Sequence, residues 1–189
     1  MIRIGILGDI GSGKSYVAKN FGYPVFNADI EVGKLYKKDR KIFIKLKKIL
    51  PQYIYSFPID KNEISKAIFA KKSNLKKIIK IVHLEIRKKM NVFLSRNRNN
   101  KIVILDIPLL LENKINKKND ILVFVKSKKS EILKRLKKRK NFNPKLLTIF
   151  KSIQLSLDYK RKKSQFVIEN NFTKKLVKIS VRKIIKEVL

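Results

Sequence analysis

The 189-residue chain has no cysteine, no tryptophan, one histidine, and 14 acidic residues against 48 lysines and arginines. Without cysteine there is no disulfide, no thiolate zinc site and no thiol nucleophile, which fits a reducing compartment. No apolar run approaches the roughly 18 residues that a membrane span requires. The first residues read as a strand, not as a signal peptide. A soluble, cytoplasmic protein is the expectation. Glycine and proline are few, 6 and 5, and no Pro- or Ser-rich linker or internal repeat divides the chain. At this length one domain is expected, with room for inserted subdomains. The hydrophobic content of 44% is ordinary for a globular protein.

The formal net charge of +34 has two explanations. Lysines that neutralise phosphates drive nucleic-acid association. The alternative is a solvated, lysine-rich surface. Lysine is spread along the whole chain, isoleucine and asparagine are abundant too, and arginine, the better phosphate and base reader, is scarce. These features favour the solvated surface and make each arginine more informative.

What is present is a phosphate-binding motif. Gly8-Asp9-Ile10-Gly11-Ser12-Gly13-Lys14-Ser15 fits G-x-x-x-x-G-K-[ST], the P-loop. Ile2, Ile4, Ile6 and Leu7 form a β-prone run before it, and Tyr16, Val17, Ala18 and Phe21 open a helical pattern after it. Strand, glycine turn and helix start are the context the motif needs, because loop N–H groups and the first helical turn hold phosphate oxygens. Lys14 is then expected at the β/γ-phosphates and the Ser15 hydroxyl at Mg²⁺.

Further along, residues 23–26 read as a second strand ending at Asn27-Ala28-Asp29. Asp29 is placed either at the functional edge of a parallel sheet or as a helix N-cap. A helical pattern covers residues 30–49, Pro51 and Pro58 bracket an irregular stretch, and Asp60 opens a further helix at Lys61. Ser73-Asn74 precedes a long amphipathic helix carrying His83 and Arg87, which share a face. That pair serves either packing or anion binding. The helical block at about 30–97 reads as an inserted substrate-binding subdomain.

Residues 101–105 form an apolar strand closed by Asp106, a Walker B arrangement with its carboxylate directed at Mg²⁺. Residues 120–125 form another strand. Ser127 is a candidate cap for a helix with Arg135 and Arg139 four apart, which is either a solvated basic helix or part of a lid at about 127–163. A turn follows at 141–144, a helix at about 145–162 that includes Gln154, a last strand at 165–169, and a C-terminal helix capped by Thr173.

With these segments placed, the chain resembles the dephospho-coenzyme A kinase family over nearly its full length. The carriers are the P-loop, Asn27-Ala28-Asp29, the segment Ile59-Asp60-Lys61 through Phe69, and His83 with Ile86-Arg87. The most specific is Leu105-Asp106-Ile107-Pro108-Leu109-Leu110-Leu111-Glu112, followed by Arg135-Leu136, Arg139, Gln154 and Val167-Ile168-Glu169-Asn170. The sequence departs from the family pattern at Asn27 for Asp, Lys61 for Arg, Leu84 for Pro, Tyr16 for Thr and Phe172 for Gly.

The resemblance implies an α/β, three-layer P-loop NTPase fold with a parallel sheet, a helical substrate-binding insertion and a helical lid. It implies ATP-dependent phosphorylation of the ribose 3′-hydroxyl of dephospho-CoA, with ATP and Mg²⁺ as cofactors. It assigns catalysis to Asp29 as general base, Lys14 and Arg139. ATP would be held by Gly8, Asp9, Ile10, Gly11, Ser12, Gly13, Lys14, Ser15, Tyr16, Arg135, Arg139 and Asn170. The acceptor would meet Asp29, His83, Arg87, Asp106, Pro108 and Leu109, with Ser15 and Asp106 at the metal. A monomer or weak oligomer is expected, with no membrane and no specific nucleic-acid partner. Two other functions fit parts of the pattern: another small-molecule P-loop kinase of nucleoside, nucleotide or shikimate type, and a basic nucleic-acid-binding ATPase.

Overall fold

The computed structural model describes residues 1–139 and 142–189. Asn141, where the turn after Arg139 was expected to begin, lies outside them. In chain order the elements are β1 (Ile2–Gly8), α1 (Lys14–Asn20), β2 (Val25–Asn27), α2 (Ala28–Lys38), α3 (Arg40–Ile49), α4 (Lys61–Ala70) and α5 (Lys72–Arg96). They continue with β3 (Ile102–Asp106), β4 (Ile121–Lys126), α6 (Lys129–Lys137), α7 (Pro144–Lys151), α8 (Leu157–Lys162), β5 (Phe166–Glu169) and α9 (Lys174–Val188).

The strands form one parallel sheet in the order β2-β3-β1-β4-β5. Parallel strands covered on both faces read as continuous apolar runs, and every residue of β3 is buried. Ile4, Ile6, Ile104 and Val123 pack toward α1 and α9, against Val17, Ala18, Phe21, Val177 and Val181. The other face meets the helical block, where Leu75, Ile78, Val82, Ile86 and Met90 make the inner stripe of α5. Their spacing of three or four residues puts them on one side of the helix, and full burial of each such side chain contributes about 1.5–3 kcal/mol. The result is the three-layer α/β fold. The connection from β1 runs to β2 on one side of the sheet and that from the adjacent β3 runs to β4 on the other, which opens a crevice at their carboxyl ends.

Polar residues break the helical patterns where apolar spacing alone would continue them. Residues 30–49 are two helices: Asp39 ends α2 in an extended conformation, and its carboxylate accepts the Ile42 N–H at 3.0 Å to cap α3. Residues 145–162 are also two, because the Ser156 hydroxyl accepts the Tyr159 N–H at 3.2 Å and starts α8 anew. Ser73 and Asn74 lie inside α5, where the buried Asn74 amide donates to the Ala67 carbonyl at 2.8 Å and ties α5 to α4. Asp60 does cap α4, through the Asn62 N–H. Ser127 caps nothing: Lys128 precedes α6, and the Ser127 hydroxyl donates to the Ser12 carbonyl at 3.0 Å. Thr173 precedes α9 without a capping bond, its hydroxyl given to Asn171 Oδ1. Among the described residues no helix is long and apolar enough to cross a membrane.

Candidate active site

The loop from Gly8 to Lys14 sits at the carboxyl end of β1 and runs into α1. Gly13 has φ +88°, and a Cβ there would lie 2.4 Å from Asn170 Nδ2. Gly11 has φ +87° and lies under Ile132 and Leu136, so α6 packs directly onto the loop. Only glycine fits both the conformation and the space. From below, the Ser12 carbonyl accepts the Asn170 amide at 2.8 Å as well as the Ser127 hydroxyl. Lys14 Nζ donates to the carbonyls of Gly8 (3.1 Å) and Asp9 (2.8 Å). Burial lowers the Lys14 pKa, as does the charge of Lys160, while the carboxylates of Asp106, Asp29 and Asp9 oppose the shift.

Asn27 links the next two elements. Its Oδ1 accepts the Ile30 N–H at 2.9 Å, which caps α2. Its Nδ2 donates to Asp106 Oδ2 at the end of β3 and lies 3.4 Å from Ser15 Oγ. The cap that Asp29 was weighed for is therefore made by Asn27. Asp29 stands in the first turn of α2, and its carboxylate takes no hydrogen bond among the described residues. Although it opens to solvent at the cleft mouth, the surrounding protein and then the nearby Asp106 carboxylate push its pKa up. Lys14, Arg139 and Lys61 pull the other way.

A cleft of about 500 Å³ runs over this corner. It is lined by Ile10, Gly11 and Gly13 to Tyr16 from the loop and α1, by Asp29, and by Asp106, Pro108 and Leu109 after β3. His83 closes it from α5, and Arg135 and Arg139 from α6 and its end. The remaining predicted residues lie elsewhere. Gly8, Ser12 and Asn170 build the loop from behind; Ser12 is fully buried and Asn170 is 2% exposed. Asp9 Oδ1 accepts the Ile10 N–H at 2.7 Å, and Oδ2 lies 3.5 Å from Lys151 Nζ on α7. Arg87 lines a second cavity, of about 680 Å³, which shares Ile79, His83, Leu109 and Ile153 with the first.

His83 and Arg87 both turn to Asn113. The Arg87 guanidinium donates to the Asn113 carbonyl, and the Asn113 side chain lies close enough to His83 to act on its pKa. Burial lowers the His83 pKa, as does Arg87, against the opposing effect of Asn113, which favours the neutral imidazole overall. Arg135 stacks 4.3 Å from the ring centroid of Phe172, whose φ of +65° is sustained by its N–H bond to Asn170 Oδ1 at 2.9 Å.

Ser15 and Asp106 offer hard oxygen ligands, and among the described residues no group of three or more His, Asp or Glu gathers to form a closed cage. That donor set fits a cation which keeps most of its ligands as water and substrate phosphate, as Mg²⁺ does.

The family model for dephospho-CoA kinase matches residues 2–175. The chain belongs to the dephospho-CoA kinase family. It is 34% identical to dephospho-CoA kinase of Wolbachia pipientis wMel, over 96% of this chain and 95% of that one. The structure of TT1252 from Thermus thermophilus superposes with a TM-score of 0.82 at 27% identity, covering 100% of this chain and 97% of that one. Shikimate kinase from Bacteroides thetaiotaomicron shares the fold, at a TM-score of 0.52 and 13% identity, over 99% of this chain and 98% of that one.

Within this dephospho-CoA kinase family fold, two lysines near the cleft were given no site role by the sequence. Lys160 is buried and pairs with Glu112. Lys61 is close enough to act on Asp29. A lysine among so many lysines carries no signal in the sequence.

Proposed function

We infer that the chain transfers the γ-phosphoryl group of ATP to the ribose 3′-hydroxyl of dephospho-CoA, giving ADP and coenzyme A. The observation that carries this is one cleft lined by both the P-loop lysine and a carboxylate, Asp29, that takes no hydrogen bond among the described residues. The loop and α1 bind the triphosphate, with Lys14 exchanging its loop carbonyls for phosphate oxygens. Asp29 orients the hydroxyl and accepts its proton as that oxygen attacks the γ-phosphorus in line. Arg135 and Arg139 supply positive charge from the α6 side as negative charge builds on the equatorial oxygens.

His83, Pro108 and Leu109 form the acceptor wall. The adjoining cavity with Arg87 extends the site for a long acceptor. Ser15 and Asp106 would hold Mg²⁺, which when bound neutralises the phosphate charge. Asn27, hydrogen-bonded to Asp106, fixes that carboxylate. A monomer or weak oligomer working in the cytoplasm completes the proposal. The test is a coupled kinase assay offering dephospho-CoA, adenosine, nucleoside monophosphates and shikimate in parallel. Turnover is expected with dephospho-CoA, and preference for any other acceptor would overturn the assignment.

A further inference from the structure

Lys160 on α8 is the one buried lysine among the described residues, 1% exposed. An ammonium out of water is costly unless its donors are used, and a hydrophobic residue would fill the space without that cost. Two partners meet it: Glu112 Oε1 at 2.8 Å and Gln154 Oε1 at 3.0 Å. Glu112 Oε1 also accepts the Leu155 N–H at 3.0 Å. One buried ion pair thus joins the segment after β3, the turn between α7 and α8, and α8 itself.

The chemistry of the donor decides which way Gln154 faces. An ammonium has no lone pair, so only the amide oxygen can meet it, and the Gln154 NH₂ must turn away. Gln154 lines the same cleft as Lys14 and Asp29. Lys160 is also near enough to Lys14 for its charge to help lower the Lys14 pKa. We propose that Glu112 and Lys160 are a positioning pair that holds the Gln154 NH₂ group toward a phosphoryl oxygen bound at Lys14. Gln154 is then a substrate-contacting donor in phosphoryl transfer, and Lys160 acts through it. The assignment rests on the kinase function proposed above.

Gln154→Glu tests it. The replacement keeps an oxygen for Lys160 and the same shape, but exchanges the N–H donors for a carboxylate oxygen. The melting temperature is expected to hold or rise, because Lys160 gains a second carboxylate. At the same time kcat/KM for ATP should fall at least about tenfold, below the 10²–10³ typical of a lost transition-state donor only if water substitutes in part. Lys160→Arg, also a pure donor, should keep most of the activity, while Lys160→Met should lose both stability and rate. A Gln154→Glu enzyme with wild-type kinetics overturns the proposal, whatever the Met variant does. The wild type run beside it keeps the two ideas apart: failure to use dephospho-CoA would refute the kinase function, whereas an active wild type with an equally active Gln154→Glu variant refutes only the role of Gln154.

Discussion

Replacing Asp29 with asparagine separates proton acceptance from everything else that the residue does. Asn27 caps α2, so the substitution leaves the cap intact. Two small electrostatic effects then oppose each other. Asp29 lies in the first turn of α2, where a negative charge contributes about 0.3–1 kcal/mol through the helix dipole. Against this, burial and the Asp106 carboxylate disfavour its ionised form. The exposure of Asp29 at the cleft mouth keeps both effects weak. A net change of about 1 kcal/mol moves the melting temperature of a chain this size by roughly 2–4 °C, and the shift should stay within that range.

The rate should change far more. Loss of a general base costs about 10²–10⁴ in turnover, or roughly 2.7–5.4 kcal/mol of activation free energy. ATP affinity should survive, because the P-loop holds the triphosphate. The pH profile adds an independent check. A base must be ionised to act, and the Asp29 pKa is raised above 3.8, so wild-type kcat/KM falls as pH drops through that raised value. The residual activity of Asp29→Asn should lack this acid limb. Stability carries the opposite sign: the raised pKa means wild type is penalised once Asp29 ionises, so the variant gains relative stability as pH rises through the same region. The measurements are steady-state turnover with dephospho-CoA across pH, ATP binding by calorimetry, and thermal melting. A fall of less than about tenfold would refute the assignment and make Asp106 the next base to test.

Lys14→Ala should abolish detectable turnover with little change in melting temperature, because the loop is shaped by its glycines and braced by Asn170 and Ser127. Near-normal activity in the folded variant would end the P-loop assignment. Asn27→Asp keeps a cap of equal quality but sets a second carboxylate against Asp106, a pair that resists full ionisation. Its melting temperature should drop below that of the wild type increasingly as pH rises from about 4 toward neutral, and a gap independent of pH would contradict the Asn27–Asp106 contact. Nucleic acid should bind without sequence preference and release steeply with added salt, as counterion release dictates; a preference of about a thousandfold would show base readout instead.

The strands, the P-loop and the long α5 were legible in the sequence because each has a strong local cause. Buried parallel strands demand apolar runs, positive φ demands glycine, and an inward helix face demands the spacing seen from Leu75 to Met90. Helix ends were legible only where the cap stood beside proline or a break in the pattern, as at Asp60. Asp39 and Ser156 stand inside apolar periodicity, and their choice of a backbone N–H over solvent cannot be read from spacing. The site behaves in the same way. Charged residues at strand ends could be placed because the topology fixes where those ends go. The partners that orient them come from distant segments: Asn170 beneath Ser12, Asn113 beside His83, Gln154 on Lys160.

Asn27 joins the two kinds of information. Its place in the resemblance marked it only as a departure, an amide where the family carries a carboxylate. In the fold that amide caps α2 with its oxygen and bonds Asp106 with its nitrogen, which a carboxylate could do only by taking a proton. The substitution removes one negative charge from a corner where Asp29 and Asp106 already repel each other. It therefore leaves Asp29 easier to ionise and Asp106 held in place, as the proposed general-base mechanism requires.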